Sequence, residues 1–99
     1  MDRPRRLEVW RVRRGRLVLV VQSDFVDFDT ILVMPLANLG TMRPTRDVNL
    51  LIEVEGRSYL VVGQQITAVL ATDLRERVVH LPDIEDKVVK AIDRMLTNS

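Results

Sequence analysis

The run Leu17-Val18-Leu19-Val20-Val21, at residues 17–21, decides the fold class. It is too short for a typical helix, and three of its five residues are β-branched valines, which favour strands. A continuous apolar run, rather than an alternating one, is typical of a strand that is buried on both faces. The sequence therefore predicts a buried strand at this point.

Further short strands are predicted on both sides of this run. Residues 7–12 predict one strand, with Arg14-Gly15 as the turn that follows it, and residues 31–34 predict another. Pro35 has no amide hydrogen, so we expect it at a strand end, an edge or a bulge. The loop between residues 21 and 31 is marked by four residues whose side chains bond to turn backbone: Ser23, Asp24, Asp27 and Asp29.

The middle of the chain contains the strongest hairpin signal. Residues 38–47 predict an irregular connection, because Gly40 and Pro44 interrupt it. Residues 50–54 and 58–62 then flank Glu55-Gly56-Arg57, which predicts a tight turn between two antiparallel strands. Residues 64–70 predict one more strand.

The last segment changes from strand to helix periodicity. Pro82 suits the first turn of a helix, and Asp83, Glu85 and Asp86 favour its positive start. Apolar residues then recur at helical spacing on one broad face. They are Ile84, Val88, Val89, Ala91, Ile92 and Met95.

The elements together predict a mainly β (α+β) protein with a C-terminal helix. The chain has 99 residues, of which 46% are hydrophobic and 29% charged, so we expect residues 1–99 to form a single globular domain. A core of this size gives only marginal stability, and sharing it with a second copy would help. No apolar run approaches the roughly 20 residues that span a bilayer, so a cytoplasmic protein is expected.

Several chemical functions are excluded or disfavoured by residue content. The chain has no cysteine, which excludes disulfides and thiolate sites, and His80 is its only histidine, which excludes a multi-histidine metal site within one chain. We interpret His80 as structural or surface-exposed, and Asp24, Asp27 and Asp29 as turn-capping residues rather than cation ligands. Phosphate-binding glycine loops and serine elbows are absent. The sequence therefore predicts neither an enzyme nor a cofactor.

Charge is concentrated at the N-terminus. Residues 1–16 hold seven arginines against Asp2 and Glu8, a net charge of +5, and the remainder carries −4. Such a segment can follow phosphates or meet an acidic partner. The alternative is a solvated edge strand that its charges protect from aggregation. Trp10 is the one aromatic residue near it, so sequence-specific nucleic-acid binding is not expected.

An ordered set of motifs resembles the CcdB family of toxins. Val21-Gln22-Ser23-Asp24-Phe25-Val26-Asp27 and Leu32-Val33-Met34-Pro35-Leu36-Ala37 are similar to the V-Q-S/A-D loop of that family and to its strand ending in P-L. The Glu55-Gly56 turn and Thr67-Ala68-Val69 fall where the family has a hairpin and an A-x-V segment. Residues 91–96 look like its final helix.

The resemblance implies an SH3-like antiparallel sheet with a small second sheet and a terminal helix, assembled as a homodimer. It implies a non-enzymatic toxin of a type II toxin–antitoxin system, concerned with plasmid maintenance. Such a toxin poisons DNA gyrase through its A subunit and is neutralised by the C-terminal segment of a CcdA-like antitoxin. By resemblance, the partner contacts are Phe25, Val26, Asp93, Leu96, Thr97, Asn98 and Ser99.

The final helix departs from the family at the point of contact. The family commonly ends in a Phe-Trp-Gly-Ile-like tail, whereas Leu96 and Thr97 stand here in place of the Phe and the Trp. Two alternatives therefore stay open. One is an endoribonuclease of the MazF or Kid type, since residues 16–24 are close to a strand of those enzymes and arginine can stabilise a phosphorane. The other is a toxin homologue that has lost gyrase poisoning and retains antitoxin binding.

Overall fold

The computed structural model describes residues 3–24, 29–39 and 49–97, the side chain of Thr97 excepted. Within these ranges the chain forms seven strands and one α-helix. They are β1 (Glu8–Val12), β2 (Leu17–Val20), β3 (Thr30–Asn38), β4 (Asn49–Val54), β5 (Arg57–Val62), β6 (Thr67–Leu70), β7 (Leu74–His80) and α1 (Glu85–Thr97). Short 3-10 turns lie at Gly63–Gln65, Ala71–Asp73 and Pro82–Ile84.

The strands form one curled, antiparallel half-barrel. Its order is β4-β5-β3-β2-β1-β7, with β6 pairing to the first half of β3. The hairpin of β4 and β5 joins only the end of β3, which makes it the small second sheet. The predicted mainly β (α+β) fold with a C-terminal helix is confirmed.

Pro35 was expected at a strand end, an edge or a bulge, and it lies inside β3 rather than at its end. It pairs with Val18 of β2 on one side. On the other side β6 ends its pairing at Val33, and β5 begins at Leu36. The proline therefore lies between the part of β3 that pairs with β6 and the part that pairs with β5. On this side of β3 its missing amide hydrogen interrupts no ladder of hydrogen bonds.

The hairpin predicted at residues 50–62 is confirmed. Glu55 and Gly56 form its two-residue turn, with φ of 51° and 77°. Positive φ at both positions is the geometry whose twist matches that of the two strands, and Gly56 adopts it without a steric penalty.

Two hydrophobic clusters lie on opposite faces of the half-barrel, and β2 contributes to both. Leu17 and Leu19 pack in the outer cluster, which α1 and the β4–β5 hairpin cover. Val18 and Val20 pack in the inner cluster, which surrounds Trp10. All four side chains are buried. This is why the run at residues 17–21 is continuously apolar rather than alternating.

One edge of the sheet is β7, a strand that the sequence did not predict. Arg75, Glu76 and Arg77 are exposed at its centre, and only Leu74 is fully buried. Since β1 pairs with both β2 and β7, the prediction that the arginine-rich segment is an edge strand is wrong. Residues 64–70 also differ from the prediction, because a 3-10 turn at Gly63–Gln65 precedes β6.

The terminal helix begins as predicted. Pro82 opens the 3-10 turn that leads into α1, and Glu85 and Asp86 occupy the first turn of the helix. Among the described residues, no helix has the length and apolar character needed to cross a membrane.

Candidate functional site

The inner face of α1 anchors the helix to the half-barrel. Val88 and Ala91 are fully buried, and Val88 belongs to the outer cluster with strand residues such as Leu19 and Val61. Ile84, Ile92 and Met95 pack against the same cluster and are half-buried. The position of the helix is therefore set by the first three of its turns, through side chains spaced three and four apart.

The exposed margin of the apolar stripe of α1 and the last turn of the helix carry the predicted contacts that the structure describes. Leu96 is 79% exposed, and Val89, two turns earlier on the same face, is 40% exposed. Val89 was expected on the buried face, and that expectation is wrong because it lies at the outer margin of the apolar stripe. Asp93 is exposed one turn before Leu96. An exposed leucine on a firmly held helix is a ready apolar anchor for a partner.

The remaining predicted contacts are not described. Thr97 lies in α1, but its side chain is outside the described part of the structure, as are Asn98 and Ser99. Phe25 and Val26 also lie outside the described residues. The structure thus brings Asp93 and Leu96 together on one helix and leaves the other five positions as predictions.

A groove of about 1110 Å³ lies over β1, β2, β3 and β5, and none of its lining residues belongs to α1. Its floor is apolar and includes Val18, Val33 and Val62. Five arginines line it, which are Arg11, Arg13, Arg14, Arg16 and Arg57. Four of them come from the β1–β2 hairpin, so the basic segment noted in the sequence becomes one wall of the groove.

Acidic side chains reach two of these arginines. Arg11 donates hydrogen bonds to Glu76 and Glu55, at 3.0 and 3.2 Å, and the bond to Glu76 raises the pKa of Arg11 above its ordinary value. Arg13 lies 3.7 Å from Asp73. Arg14, Arg16 and Arg57 are exposed. The groove is therefore suited to an acidic segment or to phosphates.

The groove offers few groups for acid–base chemistry. Among the described residues that line it, Asp73, which pairs with Arg13, is the one carboxylate, and there is no histidine. His80 lies instead at the end of β7, opposite Glu8, and is exposed. Tyr59 and Thr67 supply hydroxyl groups. Arginines beside hydroxyl groups can stabilise a phosphorane, but proton transfer would need a further group.

Glu8 forms a buried charged network that the sequence analysis missed. The residue is 4% exposed, and its carboxylate accepts hydrogen bonds from the Trp10 indole at 3.0 Å and from the Arg5 backbone amide at 2.7 Å. The Arg77 guanidinium lies 2.8 Å from its second oxygen and over the Trp10 ring, 5.7 Å from the ring centroid. The alternation Glu8-Val9-Trp10 was the available signal, because it places Glu8 and Trp10 on one face of the strand.

The aspartates after β2 do not form a metal site in the described structure. Asp24 accepts a hydrogen bond from the backbone amide of Arg6 at 2.8 Å. The residues that follow Asp24 in the loop are outside the described ranges, so its turn capping stays a prediction. Asp29 is exposed, and Asp27 is outside the described residues. Among the residues that the structure describes, no group of three metal-ligating side chains comes together.

Solved structures define the class of fold. An endoribonuclease from a mycobacterial species matches with a TM-score of 0.80 at 18% identity, covering 98% of this chain and 94% of the other. A mycobacterial endoribonuclease in complex with its cognate antitoxin matches with a TM-score of 0.80 at 16% identity, over 97% of both chains. The Mycobacterium tuberculosis toxin MazF-mt6 matches with a TM-score of 0.76 at 16% identity, over 94% of this chain and 97% of the other. At these identities the likeness establishes a shared fold.

The sequence itself defines the family. The model of the CcdB protein family matches residues 7–98, which is nearly the whole chain, and the protein belongs to the CcdB family. The resemblance found in the motifs is thereby confirmed, and with it a toxin of the toxin–antitoxin class. None of the curated protein sequences matches significantly.

Proposed function

We propose that this protein is a non-enzymatic toxin that binds the A subunit of DNA gyrase through the end of α1 and traps the complex of gyrase with cleaved DNA. The observation that carries this proposal is the exposure of Leu96, at 79%, on a helix that is anchored by the fully buried Val88 and Ala91. A rigid helix that presents an apolar side chain to solvent binds by contact and needs no reacting group.

The strength of this contact depends on residues 96–99. Burial of one leucine side chain contributes about 1.5–3 kcal/mol. Relatives with Trp at the position of Thr97 have a larger anchor, and losing a buried Trp typically costs about 2 kcal/mol or more, roughly thirtyfold in affinity. We therefore expect this chain to bind gyrase more weakly than relatives that carry Phe-Trp-Gly-Ile.

The antitoxin is the second partner of the proposal. We assign its C-terminal segment to the arginine groove, because Arg14, Arg16 and Arg57 are exposed around an apolar floor. An extended acidic segment with apolar side chains would satisfy both features, and its charge would speed association. On this assignment, the basic hairpin of the chain recognises the antitoxin, and the helix end recognises gyrase.

A homodimer completes the proposal. Leu32 of β3 and Leu70 of β6 are 42% and 53% exposed. Leu70 pairs with Thr30, which lies two residues before Leu32 on β3. Paired residues and residues two apart point to the same side of a sheet, so the two leucines share one face. An exposed apolar face on so small a domain is suited to a second copy.

The second candidate function is cleavage of RNA. The groove favours it, because five arginines line one concave surface beside the hydroxyl groups of Tyr59 and Thr67. The structural neighbours are endoribonucleases, which adds to its weight. We place it second because the described residues that line the groove include one carboxylate, Asp73, and no histidine.

Expression in bacteria without the antitoxin separates these functions. Growth arrest with DNA breaks that vanish in a gyrase A mutant would support gyrase poisoning. Growth arrest with cut mRNA that vanishes in the R16A variant would support the endoribonuclease. No growth effect, together with retained antitoxin binding, would indicate a homologue that has lost its target. The T97W/N98G/S99I variant should then restore toxicity if the rest of the contact surface is intact.

A further inference from the structure

The N-terminal arm, residues 3–6, lies ahead of the region that the family model matches, which begins at residue 7. It nevertheless makes specific contacts. The Arg5 amide bonds to Glu8, and the Glu8 amide bonds back to the Arg5 carbonyl, which closes a turn before β1. The arm is therefore folded onto the domain.

Arg6 makes the contacts of longest range in the arm. Its Nε donates to both carboxylate oxygens of Glu85, at 3.1 and 2.9 Å, and its Nη2 donates to Oε1 at 2.9 Å. Its Nη1 donates to the carbonyl of Val21, and its backbone amide donates to the Asp24 carboxylate at 2.8 Å. A single residue thus joins the loop after β2 to the first residue of α1.

Leu7 supports this arrangement from the neighbouring position. Its amide donates to the Val20 carbonyl at 2.8 Å, and its carbonyl accepts from the Leu81 amide at 2.9 Å. It adopts a φ of 69°, which is uncommon for a non-glycine residue, and its side chain is buried in the outer cluster. The backbone here is held in a strained turn that directs Arg6 between β2 and α1.

We propose that Arg6 is a positioning residue that holds the loop of residues 21–24 against the start of α1. Residues 21–24 directly precede Phe25 and Val26 in the sequence, and α1 continues to Leu96, so Arg6 joins the described residues that lie beside each of the two segments that the family resemblance assigns to partner contact. The proposal rests on the proposed function only in its consequence for gyrase binding. We call the hydrogen bonds from Arg6 to Val21, Asp24 and Glu85 the clamp, and the clamp is a property of the free chain.

The geometry suits this role better than a role in global stability. Glu85 is 43% exposed and Arg6 is 23% exposed, so the ion pair adds little to the stability of the fold. Holding two segments in one arrangement before binding removes an ordering cost from the bound state, which typically weakens binding about 3- to 10-fold when it is lost. The guanidinium makes several directional bonds at once, which lysine cannot reproduce.

The test compares R6A, R6K and E85Q with R5A, a matched control on the same arm whose exposed side chain can be removed while its backbone amide still reaches Glu8. Amide hydrogen exchange is measured for residues 21–24 and 85–90 of the free chain, together with the thermal midpoint. Affinity for purified gyrase A subunit is measured by calorimetry. R6A should speed exchange in both segments and weaken gyrase binding about 3- to 10-fold, with R6K intermediate and R5A unchanged.

A double-mutant cycle tests whether Arg6 acts through Glu85. In the R6A background, E85Q should have no further effect on exchange or on binding. Unchanged exchange in R6A would overturn the proposal, and so would a loss of binding that R5A reproduces. If R6A does not fold, the same outcomes are read from E85Q and R6K. If the wild-type chain binds no gyrase, the proposed function fails, and the clamp is still decided by hydrogen exchange.

Discussion

The end of α1 and the arginine groove are the two candidate binding regions, and they differ in shape, in charge and in the side chains that they expose. The helix end presents one apolar side chain, Leu96, on an element that is anchored through Val88 and Ala91. The groove presents five arginines over an apolar floor. The helix end can grip a protein surface without chemistry, whereas the groove attracts acidic or phosphate-bearing partners. On the proposed assignment, the surface that binds the target and the surface that binds the antitoxin are separate.

The largest expected effect is the loss of gyrase binding when the helix end is changed. L96D places a charge where the proposed gyrase contact is made, and we expect gyrase binding to fall at least thirtyfold, which corresponds to about 2 kcal/mol or more. The matched control is L51D, on β4, where Leu51 is 57% exposed. Affinity for the gyrase A subunit would be measured by calorimetry. Equal losses in both variants would show that the effect is not specific to the helix end.

The next effect tests which face of α1 holds the helix to the half-barrel. V88A removes two methyl-sized groups from a fully buried position, and we expect the free energy of unfolding to fall by about 2 kcal/mol. V89A changes the same side chain one residue later, where it is 40% exposed, and should stay within about 0.5 kcal/mol of the wild type. Urea denaturation measures both. A larger loss in V89A would contradict the assigned helix face.

A smaller effect is expected for the groove. R14Q/R16Q/R57Q removes three exposed charges, each worth about 0.2–0.5 kcal/mol toward an acidic partner, so antitoxin binding should weaken about 3- to 12-fold. The loss should shrink as salt is added, because exposed charges are screened. R11Q is the control, since Arg11 is already bonded to Glu76 and Glu55. If the triple variant weakened gyrase binding as much as antitoxin binding, the two partners would share one surface, and the proposed separation would be wrong.

The smallest effect concerns pH. The hydrogen bonds from Arg6 lower the pKa of Glu85 below its ordinary value of 4.5. A lowered pKa in the folded state means that this contribution is fully present above about pH 4.5 and is lost as the pH falls through the folded-state value. Hydrogen exchange at residues 85–90, corrected for its intrinsic pH dependence, should therefore speed up in the wild type below that pH. In R6A the corrected rate should be high and nearly independent of pH.

Much of the fold follows from local sequence. The Glu55-Gly56 hairpin, β2 and α1 were predictable because a turn that requires positive φ, a continuous apolar run and a 3.6-residue period are each encoded within a few residues. By contrast, β7 was missed, since Arg75, Glu76 and Arg77 mask its pattern at the edge of the sheet. The position of β1 inside the sheet also depends on its pairing with β7, which lies more than 60 residues away.

The candidate sites show the same division. The exposure of Leu96 was predictable from its place beyond the buried helix positions and from the family resemblance. The clamp from Arg6 to Glu85 was not, because its two residues are 79 positions apart. The buried network of Glu8 depends likewise on Arg77 from β7. Charges in the sequence give a net value, and only the fold determines which of them are neutralised.

The most direct test of the central claim is a cleavage assay with purified gyrase and supercoiled plasmid DNA. The chain, L96D and R14Q/R16Q/R57Q would be added in turn, with a single-stranded RNA included as a second substrate. We expect gyrase-dependent linear DNA with the wild type and with the groove variant, none with L96D, and intact RNA throughout. The proposed function would be contradicted if the wild type and L96D cut the RNA, the groove variant did not, and the plasmid DNA stayed unbroken.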